Sequence, residues 1–431
     1  MNIKSSSAKS KICLAVRTLI LSSLGTVLYS TLASAAELKP IEVLHAWSSA
    51  GEGFALSAIK DADAKKGLKW KEVAVGGNNG TNQMQVIQSR ISSGNPPDVT
   101  LTTPTVMFSY VDQGALVNLD DIAKAGNWEK RISPELLRTV KYKNSFYAIP
   151  IGEHRENVMF ANKKVLAKYG EKVPETWDEF NVLAEKMQKD GIIPVALGGE
   201  DWQETQLFSS VIVGVGGKAL WKSAIEEHDA KAIQSPEMLK VFEQFRKIIN
   251  FSDRNRAGRD WNVATQMVMD GKAAFQFIGD FAKGEFTARK LQPGVDFLCA
   301  TPPGNGREFV YMVDEAVIFK KDDPGILASQ KIFSEQLLDP EVQQEFSIRK
   351  GSIPVTIDAK TDRLDSCALK NLQDRAANQA DGGNLPSFVQ DIAQDRDVRG
   401  VFVDAITKFA NTPTMTAKEV TDRIVKDLEN L

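Results

Sequence analysis

The sequence predicts an α/β protein built as two lobes, and three observations point there. Beyond an N-terminal leader the chain alternates strand-like and helix-like stretches in a β-α-β-α-β rhythm, which implies a mainly parallel sheet. Removing the leader leaves roughly 396 residues, more than one ordinary core fills. Three later stretches each change from one kind of element to another at a Pro- or Gly-containing loop, so each lobe is assembled from discontinuous pieces joined by three inter-lobe crossings. The boundaries that follow are 36–150 with 308–352 for the N-terminal lobe, and 151–307 with 353–431 for the C-terminal lobe.

The leader comes first. Residues 1–35 read as a signal peptide: Lys4, Lys9, Lys11 and Arg17 form a basic region with no acidic residue before Glu37. An apolar stretch over Leu19–Leu32 follows, then the small-x-small site Ala33-Ser34-Ala35. Ser22, Ser23, Gly25, Thr26, Ser30 and Thr31 interrupt the apolar stretch, which favours cleavage over a signal anchor. No cysteine stands immediately after the cleavage site, so no lipid anchor is expected. The chain holds 53 basic and 56 acidic residues, and losing four basic ones with the leader takes the net charge from −3 to −7. That balance argues against nucleic acid or an anionic membrane surface as the main partner. Cys13 leaves with the leader, and Cys299 with Cys367 reads as one structural disulfide in an oxidising compartment. There is no C-x-x-C pair, and His45, His154 and His228 stand apart from both cysteines, so neither redox chemistry nor zinc is expected.

The elements then follow in order. "IEVLHAW" is a strand, ended by the polar turn "SSAGEG"; "FALSAIKDADAKKG" is a helix and "KWKEVAV" a second strand. After the loop "GGNNGTN" comes the helix "QMQVIQSRISSG", and "PPDVTLTT" opens a third strand. "TWDEFNVLAEKMQKDG" is a helix with a capping box, Thr176 with Glu179, and an apolar stripe of Trp177, Phe180, Leu183, Ala184 and Met187. "SPEMLKVFEQFRKIINF" starts with Ser235 as N-cap and Pro236 behind it, and Asp339 with Pro340 repeats the device. The crossings are placed at "FYAIPIGEHREN", "TPPGNGREFVYMVDEAVIF" and "RKGSIPV".

Ligands of α/β sheets gather at the carboxyl ends of strands. Polar and aromatic residues predicted there are Trp47, Ser48 and Glu52; Thr102 and Thr103; Glu153, His154, Arg155 and Asn157; and, in a loop, Trp202 with Gln203. Trp261 and Asn262 follow, then Asp280 with Lys283 after the strand "AAFQFIG", then Asp314 and Lys350. A pyranose asks for this mixture. Its axial C–H face packs on an indole, which offers area at little rotamer cost, and its hydroxyls both donate and accept. Each residue also has a plainer reading. Trp47 and Trp202 are the size of lobe-packing or edge-covering residues, Asp280 and Asp314 suit helix caps, and Lys350 precedes a Gly turn. His45, alternating within a strand, reads as a core histidine.

The ordered set "EVLHAWSSAGE", "SRISSGNPPDV", "TWDEF", "GRDWN", "MVMDGKAAFQFIGDFAKGEF", "CATPPG", "RKGSIPV" and "LDSCA" resembles the family 1 extracellular solute-binding proteins of ABC sugar importers. The likeness covers nearly all of the mature chain and is nearest to the periplasmic glucose/mannose-binding branch. It implies the type II, maltose-binding-protein-like periplasmic fold and a bridge between Cys299 and Cys367. It implies ligand roles for Trp47, Glu52, Trp261, Asp280, Asp314 and Lys350. Two departures predict a remodelled pocket and a different or larger sugar than glucose: Ala46 stands where the branch usually has the first of two tryptophans, and Gln390 where it has a histidine. The function implied is a monomeric periplasmic receptor that captures a mono- or oligosaccharide and delivers it to a membrane permease, without metal or cofactor. The competing readings are a secreted glycoside hydrolase, which needs two carboxylates about 5–10 Å apart across the sugar, and a periplasmic sensor for a signalling receptor. Glu52, Asp280 and Asp314 are the hydrolase's candidate carboxylates.

Overall fold

The computed structural model describes residues 37–77, 80–170 and 172–431, so the leader lies outside the described residues. Among the described residues there are twelve strands: β1 Ile41–His45, β2 Trp70–Ala74, β3 Val99–Thr102, β4 Lys141–Tyr142, β5 Ser145–Phe146, β6 Ala148–Arg155, β7 Val158–Asn162, β8 Ile193–Val195, β9 Ala273–Ile278, β10 Phe297–Ala300, β11 Phe309–Ile318 and β12 Asn384–Pro386. The larger sheet runs β12-β11-β3-β1-β2, with β6 also on β11, and the smaller runs β10-β7-β9-β8.

The β-α-β-α-β reading corresponds to β1, β2 and β3, which pair in parallel through crossover helices. The rest of the larger sheet is mixed rather than parallel, because β11 lies antiparallel to both β3 and β6. β11 returns directly from the other sheet with no crossover helix in front of it, and a strand arriving that way is free to pair antiparallel. β6 stays in the larger sheet through Arg155, and the smaller sheet begins three residues later at Val158. Ile353, Val355, Leu364 and Ala368 join the core around the larger sheet. Phe402, Ile406, Phe409, Val420 and Ile424 join the one beside the smaller sheet.

β7 shows why the smaller sheet is buried on both faces. Met159 and Ala161 point into one core, and Val158 and Phe160 into another. Cys299 of β10 is bridged to Cys367 in the helix Ser366–Ala377, with Cα atoms 6.0 Å apart. His45 is fully buried, its Nε2 facing Glu72 at 3.4 Å.

Two segments read as turn or loop are helix starts. "SSAGEG" contains Ser49 as N-cap of the helix Ala50–Lys65, and Glu52 closes a capping box with it. The Ser-x-x-Glu spacing is the signal; the two glycines obscure it. Gly51 is there for space, since a Cβ would run into Glu285 and Gly284. "GEDWQE" opens the helix Asp201–Leu220, so Trp202 lies in a buried first turn rather than a loop. The expected caps at Thr176, Ser235 and Asp339 are all made.

Candidate functional site

A cavity of about 310 Å³ lies at the carboxyl ends of β1 and β3. The helices Ala50–Lys65, Thr81–Ser92, Pro104–Asp112, Asp201–Leu220, Trp261–Met269 and Arg396–Asn411 each have a first or capping residue on its wall. Such ends leave backbone N–H groups without helical partners, so the wall is rich in donors.

One side is carried by the larger sheet. Trp47 follows β1 and is half-buried, stacking on Phe346 at 6.0 Å between centroids. Lys350 ends the helix Pro340–Lys350, is 4% exposed, and places its ammonium 3.9 Å from the Trp47 ring centroid. The left-handed Gly351 (φ 101°) makes that placement possible, because a Cβ there would overlap the Asp280 carbonyl oxygen. Asp314 on β11 lies 3.6 Å from the Lys350 Nζ. Its neighbourhood is set by an irregularity in the β6–β11 ladder, where Asp314 pairs with Gly152 and Glu315 with Pro150. An extra residue of this kind re-aims side chains, and it accommodates a proline that donates nothing. Burial alone would raise the Asp314 carboxyl, but Lys350 and His154 outweigh it and hold the group below the usual carboxylate range.

The other side is aromatic. Trp261 sits edge-on to Phe281 at 5.1 Å, and Trp202 lies 6.3 Å from the same ring. Trp202 is 7% exposed and donates its Nε1–H to Glu200. Between the two sides, Gln390 accepts from the Val313 N–H through Oε1 at 3.0 Å, which leaves its NH₂ as a donor. Asp391 pairs with Arg399 and accepts from the Thr105 hydroxyl at 2.9 Å.

Of the residues singled out in the sequence, Trp47, Ser48, Glu52, Thr103, Trp202, Trp261, Asn262, Asp314, Lys350 and Gln390 line this cavity, as does Ala46. Glu52 has one carboxylate oxygen occupied by the N–H groups of Ser48 and Ser49. His154 and Asp280 stand behind the wall, 1% and 3% exposed, and bond to each other at 2.6 Å. Phe281, Gln206, Met312, Arg396 and Arg399 also line the cavity and were missed. Phe281 could have been found from its position next to Asp280; the others become neighbours only through the fold.

The arrangement suits gripping a polyhydroxylated ligand. Hydrolysis would ask for a free carboxyl with a raised pKa beside the substrate; Asp314 is shifted the other way, and Asp391, which burial pushes up, is engaged by Arg399 and the Thr105 hydroxyl. Among the described residues no group of His, Cys, Asp and Glu is placed to hold a metal ion, and no helix is long and apolar enough to cross a membrane.

An α/β scaffold with one polar-aromatic cavity at its strand ends defines a ligand-binding protein. The chain belongs to the bacterial extracellular solute-binding protein family, whose pattern it matches over residues 47–325, and it is a binding protein, not an enzyme. It is similar to a "Probable sugar-binding periplasmic protein" of Mesorhizobium japonicum, 34% identical over 94% of this chain and 98% of that one. Among solved structures it is similar to the bacterial solute receptor AcbH, described as exclusively preferring β-D-galactopyranose. There the TM-score is 0.74 with 19% identity, over 91% of this chain and 98% of that one. Maltose-bound MalE3 of T. maritima matches with TM-score 0.72 and 17% identity, over 91% of this chain and 99% of that one. The fold is the α/β, maltose-binding-protein-like fold of these receptors.

Proposed function

We propose that the protein is a periplasmic sugar receptor, exported with cleavage after about Ala35, that delivers its ligand to the membrane permease of an ABC importer. It works as a monomer of two lobes, one around each sheet. Ligand contacts from both lobes favour the closed state, and the closed form is what the permease receives. The observation that carries this reading is that Trp47 and Trp261, which pack against different cores, line one cavity with Asn262, Asp314, Lys350 and Gln390 around them. Indoles would take the apolar faces of a sugar, and the charged and amide groups its hydroxyls. A cavity of about 310 Å³ is at the small end for ligand sites, which favours one or two sugar rings over a long oligosaccharide. Names of similar proteins that mention sugars and the periplasm support the same reading.

The test is a thermal-shift panel of D-glucose, D-mannose, D-galactose, D-xylose, maltose and cellobiose on the mature protein. A sugar held only by the folded form at about 100 times its Kd adds roughly 2.7 kcal/mol and raises Tm. At least one panel member is expected to do so and to be recovered unchanged. No shift with any of them, or turnover of the disaccharides, would overturn the reading.

A further inference from the structure

We propose that His154 is a positioning residue that carries both ring protons and clamps Asp314, so that one Asp314 oxygen is presented to the ligand as a fixed acceptor. The proposal rests on reading the cavity as a sugar site. His154 lies on β6 and does not line the cavity. Its Nδ1 is 2.6 Å from Asp280 Oδ1 and its Nε2 is 3.0 Å from Asp314 Oδ2. A neutral imidazole has one N–H, and its second nitrogen would turn a lone pair on a carboxylate. Two ionised carboxylates on one ring therefore require two N–H groups.

Both carboxylates are provided for as anions. Asp280 Oδ2 accepts from the Arg155 N–H at 2.9 Å and the Asn371 amide at 3.0 Å, so Asp280 is fully engaged behind the wall. Asp314 has the Lys350 ammonium on its other flank. Of the other charged neighbours, Arg155 is committed to Asp374 and Glu153 to Arg375, while Glu315, next to Asp314 and fully buried, is pushed well above the usual carboxylate range by burial. Phe281 closes the space edge-on at 6.1 Å. Burial lowers the His154 pKa, but Asp280 and Asp314 more than reverse this and push it up to about 9.

The consequence is directional. His154 and Lys350 both engage Asp314 Oδ2, which leaves Oδ1 to accept a hydrogen bond from a ligand hydroxyl. Asp280 comes from the turn after β9 in the smaller sheet, whereas His154 and Asp314 belong to the larger. The clamp thus ties the cavity's acceptor to the place where the two sheets meet.

The test uses the mature protein with ¹⁵N-labelled imidazoles, titrated without sugar. One of the three histidines is expected to keep imidazolium shifts at both ring nitrogens at pH 8. That signal should vanish in His154→Gln. Three neutral histidines at pH 8 would overturn the proposal. Asp280→Asn keeps the shape of the site, so it serves if the first variant does not fold. It should return the His154 titration to the ordinary range. It should also weaken the panel sugar that shifts wild type most by about 10- to 100-fold at pH 8, with most of the loss recovered at pH 5.5, where the ring is charged again. An equal loss at both pH values marks a merely structural role and overturns the proposal. If no panel sugar binds wild type, the sugar reading fails, while the ring titration still decides the state of His154.

Discussion

On the larger-sheet side of the cavity Trp47, Asp314 and Lys350 are held to one another by charge, with His154 and Asp280 behind them. On the smaller-sheet side Trp202, Phe281 and Trp261 are held by ring packing around Phe281. The two constructions respond differently to a change of ligand. A fixed acceptor rejects a ligand lacking the matching hydroxyl, because its own desolvation is then uncompensated. Ring faces discriminate weakly and accept many sugars. The charged side should therefore set which sugar binds, and the aromatic side should contribute affinity with little preference.

The sharpest way to break this contrast is Asp314→Asn. It keeps the shape but leaves Lys350 and His154 facing an amide. Losing one member of a buried charged pair typically costs about 3 kcal/mol, so the best panel sugar should weaken on the order of 100-fold, as calorimetry would measure. Preference between panel sugars should narrow at the same time. If affinity falls while the ranking of sugars is unchanged, selectivity does not live on that side.

Trp261→Ala should do less. The residue is half-buried and its contact with Phe281 is edge-on, so its loss removes ligand-facing area and one aromatic pair. Pairs of that kind are worth about 1 kcal/mol beyond their area, and roughly a 10-fold loss is expected, similar for every sugar in the panel. A loss confined to one sugar would count against the contrast. A collapse of the unliganded Tm would return Trp261 to a core role.

What the sequence disclosed about these two sides follows the same divide. Trp261 was legible because Arg259, Asp260 and Asn262 flank it, and an indole among polar neighbours invites a surface role. The alternation of strands and helices in the first β-α-β-α-β stretch was legible from local patterning alone. The clamp was not, because His154 is 126 residues from Asp280 and 160 from Asp314, and no local pattern encodes such a meeting. Arg396 was missed for a related reason. Asp395 announces a helix start, but the direction in which that helix aims its first turn is a property of the packed fold. Gly198 and Gly199, just before Trp202, hide a helix start whose first turn carries Asp201 and Glu204.

The smallest effect tests a carboxyl with no cation paired to it, in contrast to Asp314. Glu156 follows β6 directly, is fully buried, and has one oxygen without a partner while the other accepts from Ser387. Burial pushes its pKa up to about 7, against hydrogen bonds that pull it down. The folded state therefore holds this proton more tightly than the unfolded chain, where the group titrates near 4.5. Its stabilising share is complete below about pH 4.5 and is lost as pH rises towards 7. Glu156→Gln removes that loss, so the variant should gain on wild type across this window, by on the order of 2 kcal/mol or a few degrees in Tm at pH 8. His154 adds a loss of the same sign between its unfolded value of 6.5 and about 9. Both proteins share it, so the difference between their Tm-versus-pH curves isolates Glu156. Parallel curves from pH 4.5 to 7 would mean that Glu156 is ionised in the folded protein and finds a partner there.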